Sequence, residues 1–199
     1  LGYVALKQPD ERRIKVGIIP GGTGNVFAGC LGLTGNVQVS PIDYALEVIN
    51  QNVLEPVDVG VANGTPFVID VGMGPLATAV TKPDSNQKFH YGMFSYLKPL
   101  VASLKKRPYK FKIAADGETF FIEACGIFVS NPPEIGIGQE SNLKGIQDGY
   151  LNLCIMNPKE LDDYFRMAKK FSAWFIAGMT LDDMPYNTMK VKSVTIESM

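Results

Sequence analysis

Apolar residues near the start of the chain form short runs separated by a glycine-rich stretch. The run 14–19 is rich in β-branched residues and predicts a strand, and the stretch 20–25 predicts a tight turn. Residues 26–31 are compatible with a helix. A second helix is predicted to begin after Ser40, an N-cap residue followed by Pro41, because its apolar residues lie on one face: Ile42, Ala45, Leu46 and Ile49.

From Val57 onward the period changes, because apolar and polar residues mostly alternate as they do in half-buried strands. Asn63-Gly64 and Asp116-Gly117 are hairpin-turn dipeptides and predict two hairpins. The complete set of predicted strands in this region is 57–61, 67–71, 109–113, 120–129, 150–156 and 189–197. Two helices are predicted between them, at 91–106 and 157–178.

This order of elements predicts an α/β segment followed by an antiparallel β domain that also carries helices. Hairpins make antiparallel neighbours, so a continuous βαβ repeat fits the order less well. The change of period places the boundary near residues 52–57.

Composition and charge exclude several classes of protein. Hydrophobic residues make up 46% of the 199 positions, enough for a sizeable core. Nineteen basic residues against twenty acidic ones leave no field that would hold a nucleic-acid backbone, so no nucleic acid is expected as a partner. Three widely spaced cysteines and one histidine exclude a Cys/His zinc site and suit the reducing cytoplasm. The longest apolar stretch, 171–179, is shorter than the ~20 residues that span a bilayer, so any membrane contact is expected to be peripheral.

The glycine-rich turn is the strongest chemical signal in the sequence. Glycines let backbone amides approach a phosphate, and the following helix points its positive end at it. No Lys-Ser/Thr pair follows, so the turn is not a Walker A loop. The candidate phosphate-binding residues are Gly21, Gly22, Thr23, Gly24 and Asn25. A tight turn without a ligand is the alternative, and the motif alone favours that reading.

The stretch 17–28, with Pro-Gly-Gly-Thr-Gly-Asn at its centre, resembles the second nucleotide motif of the diacylglycerol kinase catalytic family, which includes bacterial lipid kinases and sphingosine kinases. Similar stretches follow in the family's order: 57–60, 67–74, a helix with Gly92 and Tyr96, Ser130-Asn131-Pro132, and Asp148-Gly149-Tyr150-Leu151. The resemblance implies that residues 1–55 are the C-terminal part of an α/β nucleotide-binding domain. It implies that residues 56–199 are a β-rich, antiparallel sandwich-like lipid-kinase domain with helices.

The resemblance also implies a role for each candidate site residue. Thr23 and the neighbouring amides would contact the phosphates of ATP, and Asp58 would join a network of Mg²⁺ and water. Asp148 is similar to a second metal-site aspartate, with backbone carbonyls near Gly145 and Tyr150 as further ligands, and such oxygen ligands suit Mg²⁺. From the residues alone, Asp148-Gly149 can equally be an ordinary turn, and Asp58 a solvent-facing position on a strand.

Three departures from the family pattern bear on catalysis. The Gly-Gly-Asp-Gly-Thr loop expected before Leu1 and the Asp-Gly-Glu motif expected after Met199 are absent from the chain, and Val26 stands where many members have aspartate. The Asp-Gly-Glu motif is thought to supply the general base, so no catalytic base is assigned within the chain. We expect the 199 residues to be a fragment that is inactive alone. Asp70 stands where the family usually has asparagine and receives no role.

The resemblance implies transfer of the γ-phosphate of ATP to a lipid hydroxyl, such as that of diacylglycerol, by a cytoplasmic enzyme that binds membranes transiently. The expected partners are ATP, Mg²⁺ and a lipid substrate at a membrane surface, with a homodimer as one option. An NAD kinase-like enzyme and a non-catalytic, kinase-derived binding module are the alternatives. Lys98 and the cluster 105–107 could meet anionic headgroups, although cations at a helix end also offset the helix dipole. The aromatic residues of 164–175 fit core packing better than a lipid groove.

Overall fold

The computed structural model describes residues 15–22, 25–34, 38–74, 77, 108–133, 143–157, 163 and 186–199. These residues form mostly β-sheet with few helices. The helix predicted at 91–106 lies outside them, as does nearly all of the helix predicted at 157–178. The chain divides into two compact units, Leu1–Val71 with Ser130–Tyr150, and Gly72–Val129 with Leu151–Met199. This division does not coincide with the boundary expected between residues 55 and 56, and the two functional domains stay a prediction.

Two helices form in the first unit where the sequence predicts them. Helix α1 spans Val26–Cys30 and helix α2 spans Pro41–Asn50. The Ser40 hydroxyl caps α2 by accepting a hydrogen bond from the Asp43 N–H at 3.2 Å, which gives a partner to one amide of the first turn. Residues of both helices belong to a small core. In this core Ala28, Leu33 and Ala45 are buried and contact Ile18, Leu31, Tyr44 and Val48.

The run 15–20 is not a strand, so that prediction is wrong for the residues described. A strand needs a neighbour to pair with, and apolar β-branched residues alone do not supply one. The run packs against α2 instead, and a Cβ added to Gly17 would meet Cδ1 of Ile49 at 2.8 Å. A glycine at position 17 therefore permits the close approach of this run to the helix.

Asn63-Gly64 makes the predicted hairpin, although its strands are shorter than expected. Strands β1 (Gly60–Ala62) and β2 (Thr65–Phe67) pair antiparallel across the turn. The φ angles of 51° at Asn63 and 79° at Gly64 are positive, as a two-residue hairpin turn of this kind requires. Gly60 lies against the Phe67 ring so closely that a Cβ there would overlap it. Residues 57–59 are not part of the strand, because Asp58 gives its N–H to Ile146 instead.

Seven further strands form two sheets. In chain order they are β3 (Asp70–Met73), β4 (Tyr109–Ala115), β5 (Glu118–Ala124), β6 (Gly126–Ser130), β7 (Leu151–Met156), β8 (Tyr186–Val191) and β9 (Val194–Ser198). One sheet has the order β3-β6-β7-β8 and the other β5-β4-β9. Strand β4 pairs antiparallel with β5 and with β9, and β7 pairs antiparallel with β8. The predicted hairpin at Asp116-Gly117 is thus confirmed.

The two sheets differ in how their strands are buried. In β4 the alternate residues Phe111, Ile113 and Ala115 are buried, which is the pattern of a strand with one face on a core. Strand β6 is buried at every position, and β7 at every position after Leu151. These two central strands supply much of the described core, including Ile127, Leu153 and Cys154.

Two predicted strands are each divided in the structure. The run 120–129 breaks at Cys125, so that β5 and β6 belong to different sheets. The run 189–197 breaks at Lys192-Ser193, so that β8 and β9 also separate. The second break has a visible cause, because the Asp116 carboxylate accepts the backbone N–H groups of Lys192 and Ser193, which are then not available to a strand ladder.

The cysteines Cys30, Cys125 and Cys154 are free thiols, and all three are buried. Burial raises the pKa of the Cys154 thiol to about 12. Among the helices of the described residues, none has the length and apolar character needed to cross a membrane.

Candidate functional site

The glycine-rich turn is held by the side chain of its last residue. Asn25 precedes α1 with a φ of 45°, in the left-handed region that asparagine tolerates better than most residues. Its Oδ1 accepts the Gly22 N–H at 2.8 Å, and its Nδ2 donates to the Pro20 carbonyl oxygen at 3.4 Å. The Gly21 N–H donates to the Ile19 carbonyl oxygen at 2.9 Å. The amides of Gly21 and Gly22, two of the three glycines that the sequence assigns to a phosphate, are therefore bonded within the turn.

Thr23 and Gly24, the two central residues predicted to bind phosphate, lie outside the described residues. Gly21 and Gly22 are exposed at the surface. A Cβ at Gly21 would have no neighbour within 4 Å, whereas one at Gly22 would meet Oδ1 of Asn25 at 3.3 Å. The described half of the turn is thus open to solvent at position 21, and Asn25 closes it at position 22.

Asp58 lies beside the Asp148-Gly149 turn. Along the chain, Asp58 and Gly149 are 91 positions apart. Oδ2 of Asp58 accepts the Gly149 N–H at 2.7 Å. The Asp58 N–H donates to the Ile146 carbonyl oxygen at 2.8 Å. Two hydrogen bonds, one to the side chain and one to the backbone, therefore bring the two aspartates of the predicted metal site together.

Asp148 itself makes a turn of the kind its sequence allows. Its Oδ1 accepts the Tyr150 N–H two residues on at 2.9 Å, and Gly149 has a φ of 73°. Gly145 lies in the 3₁₀ turn Leu143–Ile146, directly before this segment. The predicted residues Gly145, Asp148 and Tyr150 thus follow one another on a single stretch beside Asp58, and their role as metal ligands stays a prediction.

Gln147 and Asn131 add hydrogen bonds to this group, and the sequence analysis assigned neither residue a role in it. The Gln147 Nε2 donates to the Pro56 carbonyl oxygen at 2.7 Å and to Oε2 of Glu55 at 3.3 Å. Asn131 donates from Nδ2 to the Asp58 carbonyl oxygen at 2.8 Å. The sequence signal for Asn131 was its place in Ser130-Asn131-Pro132, a stretch that the family resemblance includes without assigning a task. No comparable signal points to Gln147.

The glycine-rich turn and the Asp58 group are separate in their bonding. Within the described part of the chain, no hydrogen bond joins Gly21, Gly22 or Asn25 to Asp58 or Asp148. No three His, Cys, Asp or Glu side chains of the described ranges lie close enough together to hold a metal ion. Side-chain carboxylates alone therefore do not make a complete metal site here, and backbone oxygens or ligand atoms would have to contribute.

Asp70, the departure from the family pattern, lies half-buried in β3. Burial raises the pKa of its carboxyl group above the ordinary value. The remaining predictions, for Lys98, the basic cluster 105–107 and the aromatic residues of 164–175, fall outside the described residues.

Comparison with protein families finds a match to the first part of the chain. Residues 3–62 match the family model described as "Diacylglycerol kinase catalytic domain", and these residues include the glycine-rich turn and Asp58. The chain is a distant homologue of the bacterial diacylglycerol kinases. The resemblance inferred from its motifs is thus confirmed.

Similar proteins of this kinase family extend the match beyond the residues of the family model. The chain is 29% identical over 165 residues to a diacylglycerol kinase of Bacillus subtilis, which covers 80% of the chain and 52% of that protein. It is 27% identical over 195 residues to a Staphylococcus carnosus protein named "Putative lipid kinase", which covers 92% of the chain and 61% of that protein. The chain thus spans about half the length of the curated relatives it matches.

Solved structures of the kinase family share the fold. A crystal structure from Bacillus anthracis, described as that of a "putative diacylglycerol kinase", superposes with a TM-score of 0.66 at 25% identity. The superposition covers 94% of the chain and 58% of the solved structure. The fold is therefore that of the bacterial diacylglycerol kinases, while the chain's own activity is the subject of the proposal below.

Proposed function

We propose that the chain carries part of the nucleotide site of an ATP-dependent lipid kinase, which transfers the γ-phosphate of ATP to a lipid hydroxyl such as that of diacylglycerol. The observation that supports this most is the hydrogen bond from the Gly149 N–H to Oδ2 of Asp58 at 2.7 Å. Two aspartates far apart in sequence, both expected to serve a cation, become neighbours through it.

The donor set of the Asp58 group suits Mg²⁺ in its chemistry. Asp58 and Asp148 offer carboxylate oxygens, and the carbonyl oxygens of Gly145 and Tyr150 are proposed as further ligands. Oδ2 of Asp58 already accepts the Gly149 N–H, but each carboxylate oxygen has a second lone pair, so capacity for a cation remains. When bound, Mg²⁺ supplies positive charge that offsets the charge of the transferred phosphate.

The residues of the chain have a positioning role in this proposal. The hydrogen bond from the Asp58 N–H to the Ile146 carbonyl oxygen fixes the backbone position of Asp58, and the Gly149 N–H orients the Asp58 carboxylate. Positioning and electrostatic stabilisation account for most of phosphoryl-transfer catalysis, since little covalent chemistry falls to the protein.

Gly21, Gly22, Thr23, Gly24 and Asn25 are proposed to hold the phosphates of ATP. The Gly22 N–H now donates to a neutral amide oxygen, Oδ1 of Asn25. A phosphate oxygen is a stronger acceptor because hydrogen bonds to charged groups are roughly twice as strong as neutral ones. ATP would thus compete with Asn25 for this N–H, and the turn would open as it binds.

The remaining parts of the proposal concern where the enzyme works. A lipid substrate places the reaction at a membrane surface, so we propose peripheral, transient membrane binding from the cytoplasm. The sheets β3-β6-β7-β8 and β5-β4-β9 are proposed to form the sandwich-like lipid-side domain, and a homodimer stays a prediction.

The test is phosphate transfer by the full-length protein with γ-labelled ATP and Mg²⁺. Diacylglycerol, a sphingoid base and phosphatidylglycerol are offered in mixed micelles, and NAD is offered separately. We expect label in one lipid, and loss of at least about tenfold in kcat for Asp58→Asn, which removes a charge but keeps the shape of the side chain. Asp116→Asn, a carboxylate in the second unit, is the matched control and should keep its activity.

Each outcome separates the candidate functions. Label in NAD alone identifies an NAD kinase-like enzyme, and label in no acceptor favours a non-catalytic binding module. Equal losses in Asp58→Asn and Asp116→Asn would point to general destabilisation and contradict the assigned site.

A further inference from the structure

Asn131 lies at the centre of the hydrogen bonds that hold Asp58. Its side chain is fully buried, with 0% of its surface exposed. Its Nδ2 donates to the carbonyl oxygen of Asp58 at 2.8 Å and to that of Val68 at 3.3 Å. Its backbone N–H donates to the Ile69 carbonyl oxygen at 2.8 Å. One residue therefore ties together two chain segments, the one that contains Asp58 and the one that leads into β3.

The peptide groups held in this way are those that carry the candidate carboxylate. Asp58 gives its carbonyl oxygen to Asn131 and its N–H to the Ile146 carbonyl oxygen. With both backbone polar groups bonded, the freedom that remains to the aspartate side chain is in its two χ angles, of which χ1 occupies a few staggered positions and χ2 varies more broadly. The Gly149 N–H at 2.7 Å then selects the position that faces the Asp148 turn.

The chemistry of an amide suits this place better than its close alternatives. A primary amide has two N–H donors, and here one nitrogen serves two carbonyl oxygens. Aspartate of the same shape has no N–H to give and would bring a further negative charge close to Asp58. Serine has a single donor. The neutral double donor thus fixes the backbone without changing the charge of the site.

We infer that Asn131 is a positioning residue, which holds the Asp58 carboxylate against the Asp148-Gly149 turn in the orientation that a bound cation needs. The cation part rests on the proposed function, whereas the hold on Asp58 does not. Outer hydrogen-bond partners of metal ligands commonly change metal affinity by about 10–100-fold when they are removed. The same order of effect is expected for Asn131.

The first test is amide hydrogen exchange of Gly149 and Asp58 in Asn131→Ala, followed by NMR. The Cys125 amide, which donates to the Met156 carbonyl oxygen at 2.9 Å in the second unit, is the internal reference. Exchange at Gly149 and Asp58 should rise by at least about tenfold relative to Cys125, since local opening exposes only the bonds that Asn131 supports. A rise that is equal at all three amides, or no rise, would overturn the inference.

The second test is Mn²⁺ affinity of the same variant, measured by electron paramagnetic resonance. The matched control is Asn152→Ala, because Asn152 is also a buried asparagine, 5% exposed, but lies in β7. We expect a dissociation constant about tenfold higher or more for Asn131→Ala, and wild-type affinity for Asn152→Ala. Wild-type affinity in Asn131→Ala contradicts the inference.

The two tests also separate this inference from the proposed function. If the wild-type chain binds no Mn²⁺, the proposed cation site fails while the exchange of Gly149 still decides the role of Asn131. If Asn131→Ala does not fold, Asn131→Ser takes its place, because a hydroxyl keeps one donor for the Asp58 carbonyl. Its Gly149 exchange should exceed that of the wild type, and wild-type exchange would again overturn the inference.

Discussion

The carboxylates of Asp58 and Asp116 each accept hydrogen bonds from a distant backbone segment. They differ in how many hydrogen bonds their oxygens accept. Asp116 accepts the Lys192 N–H on both oxygens at 3.0 Å and the Ser193 N–H on Oδ1 at 2.8 Å. Asp58 accepts a single N–H, from Gly149, on Oδ2. No other hydrogen bond joins the Asp58 carboxylate to the part of the chain that the structure describes.

The difference distinguishes a structural role from a candidate site. We call the Asp116 carboxylate with the N–H groups of Lys192 and Ser193 the Asp116 clasp, and we give it the structural role. Backbone N–H groups engage both Asp116 oxygens, and they lower the pKa of this exposed carboxyl group. Asp58 has one oxygen that accepts no hydrogen bond from the described chain, and its other oxygen is bonded to the turn that contains Asp148. Asp58 therefore keeps more acceptor capacity for a cation than Asp116 does.

The largest expected effect is on cation affinity. Asp58→Asn keeps an oxygen that can accept the Gly149 N–H but removes the negative charge, so the Mn²⁺ dissociation constant should rise by at least about tenfold, or ~1.4 kcal/mol. Asp116→Asn should bind Mn²⁺ as the wild type does. Titration followed by electron paramagnetic resonance measures both, and the comparison breaks if the two variants lose affinity equally.

The next largest expected effect is on stability, through the Asn25 side chain that holds the glycine-rich turn. Asn25→Ala loses the bonds to Gly22 and Pro20 and places alanine at a φ of 45°, so the free energy of unfolding should fall by about 1–2 kcal/mol. Asn25→Gly loses the same bonds but suits the angle. Urea unfolding should therefore rank wild type, Gly and Ala in falling stability, and equal losses in both variants would show that the backbone angle contributes nothing.

A pH series tests the clasp at Asp116. The pKa of its carboxyl group is lower in the folded state, so the unfolded state binds the proton more readily. Its stabilisation is therefore complete above the unfolded pKa of about 3.9 and is lost as the pH falls through the folded value. The gap between wild type and Asp116→Asn in urea midpoint should be widest at neutral pH and close in acid. A gap that is constant with pH would contradict the clasp.

The smallest effect concerns Asp70, a third carboxylate, which lies half-buried in β3. Burial raises the pKa of its carboxyl group, so the folded state holds the proton more tightly and the ionised form opposes folding above the folded pKa. Asp70→Asn should raise the free energy of unfolding at pH 7 by less than about 1 kcal/mol, because partial exposure screens the charge. The gain should shrink as the pH falls, and thermal unfolding at two pH values measures it. A loss of stability at pH 7 would mean that the Asp70 charge has a partner.

Local chemistry made parts of the fold predictable. Ser40 before Pro41 predicted the start of α2, because a cap acts within one turn of helix. Asn63-Gly64 and Asp116-Gly117 predicted their turns, because positive φ angles restrict the residues allowed. These signals lie within four residues of what they control.

The wrong predictions, and the contacts that the sequence did not predict, depend on residues far apart along the chain. The strand predicted at 189–197 breaks because a carboxylate 76 positions away in sequence accepts the Lys192 N–H. The pairing of Asp58 with Gly149 spans 91 positions, and that of Asn131 with Asp58 spans 73. No local pattern encodes such contacts. The family resemblance named Asp58 and Asp148, but only the structure shows that Asp58 is bonded to Gly149, the residue after Asp148.

The most direct test of the central claim, that Asp58 and Asp148 form one cation site, is paramagnetic broadening by Mn²⁺ of the isotope-labelled chain. The account predicts that the amide signals of Asp58 and Gly149 broaden first, at Mn²⁺ well below one equivalent. The signals of Lys192 and Ser193 at the Asp116 clasp should stay sharp under the same conditions. Earlier broadening at the clasp, or equal broadening at both carboxylates, would contradict the account.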